Sequence, residues 1–232
     1  MPHALSKNRL NMGRIPVYFI PGLAASSRIF EWITLPEDTF EQVALEWELP
    51  LRGESLTDYC KRYAAKITHE DPVLVGVSFG GLIVQELARL MKVRRVIIIS
   101  SAKCIGEYPR KFRLGKTTRL YKLMPVRLLI QLEKLARFHF WPGIDQRLQL
   151  YKRYLGVRDR HYWEWAIACV VNWDRTEPDP NVIHIHGDRD HIFPFRYIKN
   201  CIPIKGGTHI MLVTRYKWFN ENLPKLIIDG SL

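Results

Sequence analysis

The chain has 232 residues, of which 47% are hydrophobic, and its 35 Lys and Arg against 23 Asp and Glu give a formal net charge of +12. This length and apolar content indicate a single domain over residues 1–232 with a sizeable core, and there is no internal repeat, low-complexity tract or linker. The absence of disulfide-framework spacing among the four cysteines excludes a disulfide scaffold, and no stretch is long and apolar enough to cross a membrane. We therefore expect a cytoplasmic protein with reduced thiols.

Short apolar runs alternate with helical patterns in the first hundred residues. They predict strands at Val17–Ile20, Gln42–Trp47, Pro72–Val77 and Val93–Ser100. Between the second and third strands, Ser55-Leu-Thr-Asp58 fits a capping box and predicts a helix that begins at Ser55. Strands that alternate with helices predict a parallel sheet covered by helices on both faces.

The segment Gly76–Gly80, which reads G-V-S-F-G, is the most informative motif in the chain. It follows an apolar strand pattern and precedes a helical pattern with one broad apolar face. A strand, a sharp turn at a serine and a helix are the setting of a nucleophile elbow, where flanking glycines leave room for the turned backbone. The motif predicts that Ser78 is a nucleophile, because the helix N-terminus directs N–H groups toward whatever the serine attacks.

A serine nucleophile needs a base, and the base needs an orienting carboxylate, in the chain order serine, acid, histidine on this scaffold. Predicted strands at Val182–His186 and Cys201–Ile204 are each followed by a candidate. Asp188 and Asp190 both follow the first of these strands, and His209 follows the second. The order is therefore satisfied, with two aspartates as alternatives for the acid.

His184 and His186 alternate with apolar residues along a predicted strand. We expect both to be structural and to form hydrogen bonds with neighbouring loops. No H-x-x-x-H or C-x-x-C spacing supports a metal site, so we expect no metal.

These motifs together resemble the α/β-hydrolase superfamily. The match rests on the elbow at Ser78, an H-G-x-x-D segment that ends at Asp190, a Gly-Gly-x-His segment that ends at His209, and Ile20–Leu23, which is similar to the family's turn after its third strand. The resemblance covers roughly residues 15–228. It implies a catalytic triad of Ser78, Asp190 and His209, and it favours Asp190 over Asp188.

The resemblance also implies an oxyanion hole formed by the backbone N–H groups of Leu23 and Phe79. The chain departs from the family pattern in three ways. Pro21 stands where histidine is common, and the interval of 19 residues between Asp190 and His209 leaves room for only a brief helix. The first predicted strand also begins so early that the family's first two strands are missing. The implied fold is α/β, a mostly parallel sheet of about six strands with helices on both faces.

No strand pattern interrupts residues 103–174, where helical stretches are predicted at Pro125–Trp141, Asp145–Leu155 and Asp159–Trp173. In the family, an insertion after the sixth strand forms a cap over the serine, so the resemblance implies that residues 103–174 are a helical cap. Its aromatic side chains are candidates for lining the substrate site: Trp141, Trp165 and Trp173.

The predicted cap is strongly basic, with 15 Lys and Arg against 4 Asp and Glu between Lys103 and Arg160. Such charge often forms the solvated outer face of helices. It could instead attract an anionic substrate, such as a thioester on a phosphate-bearing carrier or an anionic lipid, or hold the cap against an anionic membrane. No nucleic-acid-binding motif accompanies it, so we expect no nucleic-acid partner.

We therefore expect a serine hydrolase that cleaves a carboxylic ester or thioester through an acyl-enzyme intermediate and needs no cofactor. The aromatic and aliphatic side chains of the predicted cap favour an apolar acyl group. Acyl transfer to an alcohol or amine, and carbon–carbon cleavage, use the same scaffold and stay open as alternatives. A non-catalytic ligand-binding or membrane-docking relative is a further alternative, against which the presence of all three triad residue types argues.

Overall fold

The computed structural model describes residues 13–123, 126 and 153–232. Six strands form one sheet in the order β2-β1-β3-β4-β5-β6, and each of the five pairings between neighbours is parallel. The strands are β1 (Ile15–Ile20), β2 (Phe40–Ala44), β3 (Val73–Val77), β4 (Arg95–Ile99), β5 (Val182–Gly187) and β6 (Ile202–Ile204). The predicted α/β class and the six-stranded parallel sheet are confirmed.

Six α-helices connect or flank the strands in the described part of the chain. They are α1 (Leu56–Ala64), α2 (Phe79–Leu87), α3 (Arg110–Thr118), α4 (Arg160–Asn172), α5 (Met211–Thr214) and α6 (Tyr216–Asp229). The predicted capping box begins α1, because the Ser55 hydroxyl oxygen accepts a hydrogen bond from the Asp58 N–H at 3.1 Å. Short 3-10 turns lie at Ser27–Phe30, Ile105–Glu107, Leu120–Leu123 and Phe195–Tyr197.

The second strand differs from its prediction, since it ends at Ala44 and leaves Leu45–Trp47 outside the sheet. Ala44 pairs with Phe19, and β1 ends one residue later at Ile20. The chain beyond Leu45 therefore has no neighbouring strand to pair with. It turns instead and buries the Trp47 side chain in the core.

The core has two layers, one on each face of the sheet. Alternate side chains of β1 serve different layers: Tyr18 packs with α1, α2 and α4, whereas Phe19 packs with α5 and α6. Because both faces are covered, β3 is buried along its whole length. The carboxyl ends of the strands meet at one edge of the sheet, where ligands of open α/β sheets usually bind.

The predicted cap, residues 103–174, lies partly outside the described residues. The helix predicted at Pro125–Trp141, apart from Val126, and most of the helix predicted at Asp145–Leu155 belong to that part. The helix predicted at Asp159–Trp173 corresponds to α4, whose N-terminus is capped by the Asp159 carboxylate at 2.8 Å from the Tyr162 N–H. Within the described ranges, no helix combines the length and apolar character needed to cross a bilayer.

Candidate active site

Ser78 lies in the sharp turn between β3 and α2, with backbone angles φ 53° and ψ −116°. Few residues other than glycine adopt a positive φ, and such strain is often kept at functional sites. The glycines of the motif permit the close approach that the turn requires. A Cβ on Gly76 would lie 2.3 Å from the Gly80 carbonyl oxygen, and a Cβ on Gly80 would lie 2.3 Å from the Ile20 carbonyl oxygen.

The structure brings Ser78, His209 and Asp190 into one hydrogen-bonded line. His209 Nε2 lies 3.0 Å from Ser78 Oγ, and His209 Nδ1 lies 2.8 Å from Asp190 Oδ2. The ionised carboxylate only accepts hydrogen bonds, so Nδ1 carries the imidazole proton and Nε2 presents its lone pair to the serine hydroxyl. This is the tautomer in which a histidine can accept the serine proton.

The carboxylate of Asp190 is buried and held by several donors. Its Oδ1 accepts hydrogen bonds from the Ile192 N–H at 2.7 Å and the Phe193 N–H at 3.0 Å. Burial by itself raises the pKa of Asp190, but the hydrogen bond and charge of His209, together with the backbone donor, outweigh it and hold the pKa below its ordinary value of 3.8. Asp190 therefore stays ionised beside His209.

Asp188, the alternative acid, lies elsewhere. It is exposed, and its carboxylate accepts a hydrogen bond at 2.7 Å from the Gly206 N–H. Gly206, with φ 69°, belongs to the turn that leads to His209. Asp188 thus stabilises the turn that leads to the histidine. Asp190 is the aspartate that contacts the imidazole.

Leu23 and Phe79, the residues predicted to supply the oxyanion hole, lie beside Ser78 in the lining of one cavity. Phe79 is the first residue of α2, so its N–H has no partner within the helix. Both residues line the same cavity as Ser78, and no described group of the chain accepts a hydrogen bond from either N–H. The oxyanion hole formed by these two N–H groups stays a prediction.

A cavity of about 1030 Å³ opens directly onto Ser78 and His209. Most of its lining is aliphatic or aromatic, contributed by side chains that include Ile29, Phe112, Trp163, Ile167, Val171 and Leu212. Such a cavity favours an apolar ligand whose reacting group lies at the polar end, beside Ser78.

Two of the three tryptophans predicted to line the substrate site lie outside the lining of this cavity. Trp165 and Trp173 are buried and do not line the cavity, because their indole N–H groups donate to the Glu54 carbonyl and the Glu86 carboxylate. Trp141 lies outside the described residues. Trp163, by contrast, lines the cavity. It lies on the same predicted helix as Trp165, and no sequence signal distinguishes the two residues.

A buried histidine pair lies behind Asp190. The Phe193 carbonyl is 2.8 Å from His186 Nε2, so this nitrogen carries the proton, and His186 Nδ1 accepts from His184 Nε2 at 3.1 Å. His184 Nδ1 has no hydrogen-bond partner among the described residues and lies 3.9 Å from Glu107 Oε2. Burial lowers the pKa of both rings. His186 thus contacts the loop of Asp190, as expected, whereas the unpaired nitrogen of His184 was not expected.

Comparison with known proteins agrees with this architecture. No curated protein sequence matches the chain. Among solved structures, the candidate non-heme bromoperoxidase BpoC from Mycobacterium tuberculosis H37Rv has a TM-score of 0.68 at 15% identity, covering 96% of this chain and 95% of its own. A bromoperoxidase from Bacillus anthracis has a TM-score of 0.62 at 20% identity, covering 94% and 93%. The esterase EaEST from Exiguobacterium antarcticum has a TM-score of 0.60 at 16% identity, covering 93% of each chain.

At these identities the solved structures establish a shared fold. The sequence itself matches the model of the alpha/beta hydrolase family over residues 17–221, which is most of the chain. The protein is therefore a member of the alpha/beta hydrolase family.

Proposed function

We propose that the protein is a serine hydrolase that cleaves a carboxylic ester or thioester of an apolar acyl group. The observation that carries this proposal is the line Ser78–His209–Asp190 at hydrogen-bond distances, which ends in a large apolar cavity. The similarity to an esterase is a similarity of fold, so the proposal depends on the geometry of the site itself.

In the proposed reaction, the substrate carbonyl lies between Ser78 Oγ and the N–H groups of Leu23 and Phe79. His209 accepts the serine proton as Oγ attacks the carbonyl carbon, and the two N–H groups stabilise the negative oxygen of the tetrahedral intermediate. His209 then gives the proton to the leaving alcohol or thiol. Water, deprotonated by His209, releases the acid from the acyl-enzyme. Asp190 holds the imidazole in its working tautomer throughout.

The apolar lining supports an aliphatic or aromatic acyl group, because burial of each methylene contributes roughly 0.8 kcal/mol. The test is a series of p-nitrophenyl esters and acyl thioesters from two to twelve carbons, with Ser78→Ala as control. We expect kcat/KM to rise with acyl length until the cavity is filled, and the Ser78→Ala variant to lose at least ~10³-fold in kcat. Turnover that persists in Ser78→Ala would contradict the proposal.

A further inference from the structure

The mouth of the cavity carries exposed aliphatic side chains from three separate segments. Leu114 of α3 is 60% exposed, Ile192 after β5 is 41% exposed, and Ile210 before α5 is 45% exposed. All three also line the cavity above Ser78. We call these three residues the apolar rim. Since each is both exposed and part of the lining, the rim is the surface that a ligand meets as it enters.

Cationic side chains border this rim. Between Arg110 and Leu123 the sequence has six Lys and Arg and no Asp or Glu. Helix α3 buries none of its residues, so its cations face solvent. In the described part of the chain, neither Arg110 nor Arg113 forms an ion pair with a carboxylate.

A third guanidinium joins them from a different segment. Arg196 lies over the Tyr197 ring, 4.9 Å from its centroid, and donates a hydrogen bond to the Tyr197 hydroxyl. That hydrogen bond lowers the pKa of Tyr197, and the charges of Arg110 and Arg113 lower it further. The Phe112 ring of α3 also packs edge-on against the Phe193 ring at 5.6 Å between centroids, so the helix that carries Arg110 and Arg113 lies against the segment that leads to Arg196. We call Arg110, Arg113 and Arg196 the cationic border.

Exposed aliphatic groups bordered by cations that form no ion pair within the described ranges suit the surface of an anionic bilayer. Lipid phosphates attract Lys and Arg, while aliphatic side chains enter the boundary between headgroups and acyl chains. We propose that the apolar rim and the cationic border dock the mouth of the cavity on an anionic lipid bilayer. An acyl substrate then moves from the bilayer to the cavity without crossing water, a consequence that rests on the proposed function.

The test is flotation of the full chain with vesicles of pure phosphatidylcholine and of phosphatidylcholine with 30 mol% phosphatidylglycerol. We expect binding to the anionic vesicles that weakens in high salt. The triple variant Arg110→Gln/Arg113→Gln/Arg196→Gln should bind about a hundredfold more weakly, because each cation near the surface contributes about fivefold. Leu114→Gln, an exposed change on a helix surface, should weaken binding about tenfold.

A matched control removes the same charge from the opposite edge of the sheet. Lys92 and Arg94 precede β4, and Lys225 lies near the end of α6, whose Ile227 carbonyl accepts a hydrogen bond from Arg95 at the start of β4. The variant Lys92→Gln/Arg94→Gln/Lys225→Gln should bind almost as well as the wild type. Equal losses in the two triple variants, or no binding to anionic vesicles, would overturn the proposal.

Two further outcomes separate this proposal from others. Rim-dependent binding of a short DNA duplex, without vesicle binding, would show a general polyanion site and overturn bilayer docking. Vesicle binding by a protein that hydrolyses no ester would leave docking intact and contradict the proposed function alone. Ester hydrolysis by a protein that binds no vesicles would leave the proposed function intact and contradict docking alone.

An independent observation concerns the two proposed oxyanion donors. The buried Trp47 donates its indole N–H to the Gly22 carbonyl at 2.9 Å. Its ring also stacks on the Phe79 ring, with centroids 5.3 Å apart and planes 24° apart. One side chain therefore contacts both segments that carry the proposed oxyanion donors.

The Gly22 carbonyl oxygen accepts two hydrogen bonds, one from the Trp47 indole and one from the Ala25 N–H at 3.0 Å, and together they set the orientation of the Gly22–Leu23 peptide. In a trans peptide the carbonyl and the following N–H point in opposite directions, so holding the Gly22 oxygen toward the indole turns the Leu23 N–H away from it. We infer that Trp47 is a positioning residue for the oxyanion hole, a role that rests on the proposed function. Misaligned donors weaken the binding of the transition state more than the binding of the substrate.

Trp47→Phe tests this role, since it keeps an aromatic ring and removes the indole donor. We expect kcat to fall about tenfold to a hundredfold with KM within about twofold. Trp165→Phe is the matched control, because Trp165 is equally buried, also contacts Phe79, and donates to the Glu54 carbonyl away from the site. We expect its kcat to stay within about threefold of the wild type.

Equal kcat values in the two variants, in an enzyme that turns over, would overturn the role of Trp47 alone. A wild-type protein without Ser78-dependent turnover would overturn the proposed function and the role of Trp47 with it. If Trp47→Phe loses both kcat and thermal stability while Trp165→Phe keeps its thermal stability, the fall in kcat would indicate a structural role. That result would also overturn the inference.

Discussion

At the scale of single residues, the environment of each carboxylate distinguishes two aspartates that lie only two positions apart. Asp190 is buried, contacts His209 and has a lowered pKa, whereas Asp188 is exposed and binds the Gly206 N–H. A buried carboxylate that accepts the Nδ1 proton fixes the imidazole tautomer. An exposed carboxylate that accepts a hydrogen bond from a backbone N–H only stabilises a turn.

The first prediction compares Asp190→Asn with Asp188→Asn. Asn at 190 offers His209 an amide that can hold the wrong tautomer, so we expect kcat to fall roughly 10⁴-fold. Asn at 188 retains an oxygen that can accept from Gly206, so we expect a change below about threefold. Steady-state kinetics on one activated ester measures both, and a larger loss for Asp188→Asn would contradict the assignment of the acid.

At the scale of structural elements, the strand–turn–helix unit from β3 to α2 depends on close backbone contacts. The Gly80 backbone touches the Ile20 and Pro21 carbonyls, where a Cβ would lie at 2.3 and 2.4 Å. Both neighbours are backbone atoms of β1 and its following turn, and these cannot rotate away. The elbow is therefore held by contact between elements as well as by its own sequence.

The second prediction is that Gly80→Ala destabilises the protein by at least about 3 kcal/mol, because strand β1 and helix α2 must separate. Gly115→Ala is the matched control. In α3 the nearest atom to a Cβ at Gly115 is Val171 Cγ1 at 3.9 Å, an ordinary contact. Alanine is a better helix former, so this variant should gain roughly 0.5–1 kcal/mol. Urea unfolding measures both, and equal stabilities would show that the elbow is not tightly packed.

At the scale of the whole molecule, buried titratable groups couple stability to pH. Burial lowers the pKa of His184 well below its ordinary value of 6.5, so the folded protein keeps this ring neutral. As pH falls through 6.5, the unfolded chain takes up a proton that the folded chain does not, and stability is lost. Glu107 has the opposite effect on how stability depends on pH. Burial raises its pKa above 4.5, so the folded chain holds this proton more tightly than the unfolded chain does, and its stabilising contribution is lost as pH rises.

The third prediction follows from this coupling and compares the wild type with His184→Asn. Between pH 7.5 and pH 5.5 the wild type should lose more free energy of unfolding than the variant, by up to about 1.4 kcal/mol per pH unit below 6.5. Urea unfolding at the two pH values measures the difference. An equal loss in both proteins would mean that His184 is protonated in the folded state.

Much of the fold and site could be predicted because local sequence determines it. The elbow motif specifies its own turn, and Asp190 and His209 each follow a strand whose apolar pattern is clear. The contact of Trp47 with Gly22 joins residues 25 positions apart, at a point where the chain has left the sheet beyond the end of β2, and no local pattern encodes it. The orientation of Trp163 and Trp165 depends on how α4 rotates against α1 and α2, which periodicity alone does not determine.

Labelling with a fluorophosphonate, read by intact mass and peptide mapping beside a Ser78→Ala control, measures whether Ser78 is an activated nucleophile. The probe reacts only with a serine that is activated by a base and has room for a tetrahedral phosphorus. We expect stoichiometric modification at Ser78 in the wild type and none in Ser78→Ala. A folded wild-type protein that stays unlabelled, under conditions that label a reference hydrolase, would contradict the claim that Ser78, His209 and Asp190 form a working nucleophilic site.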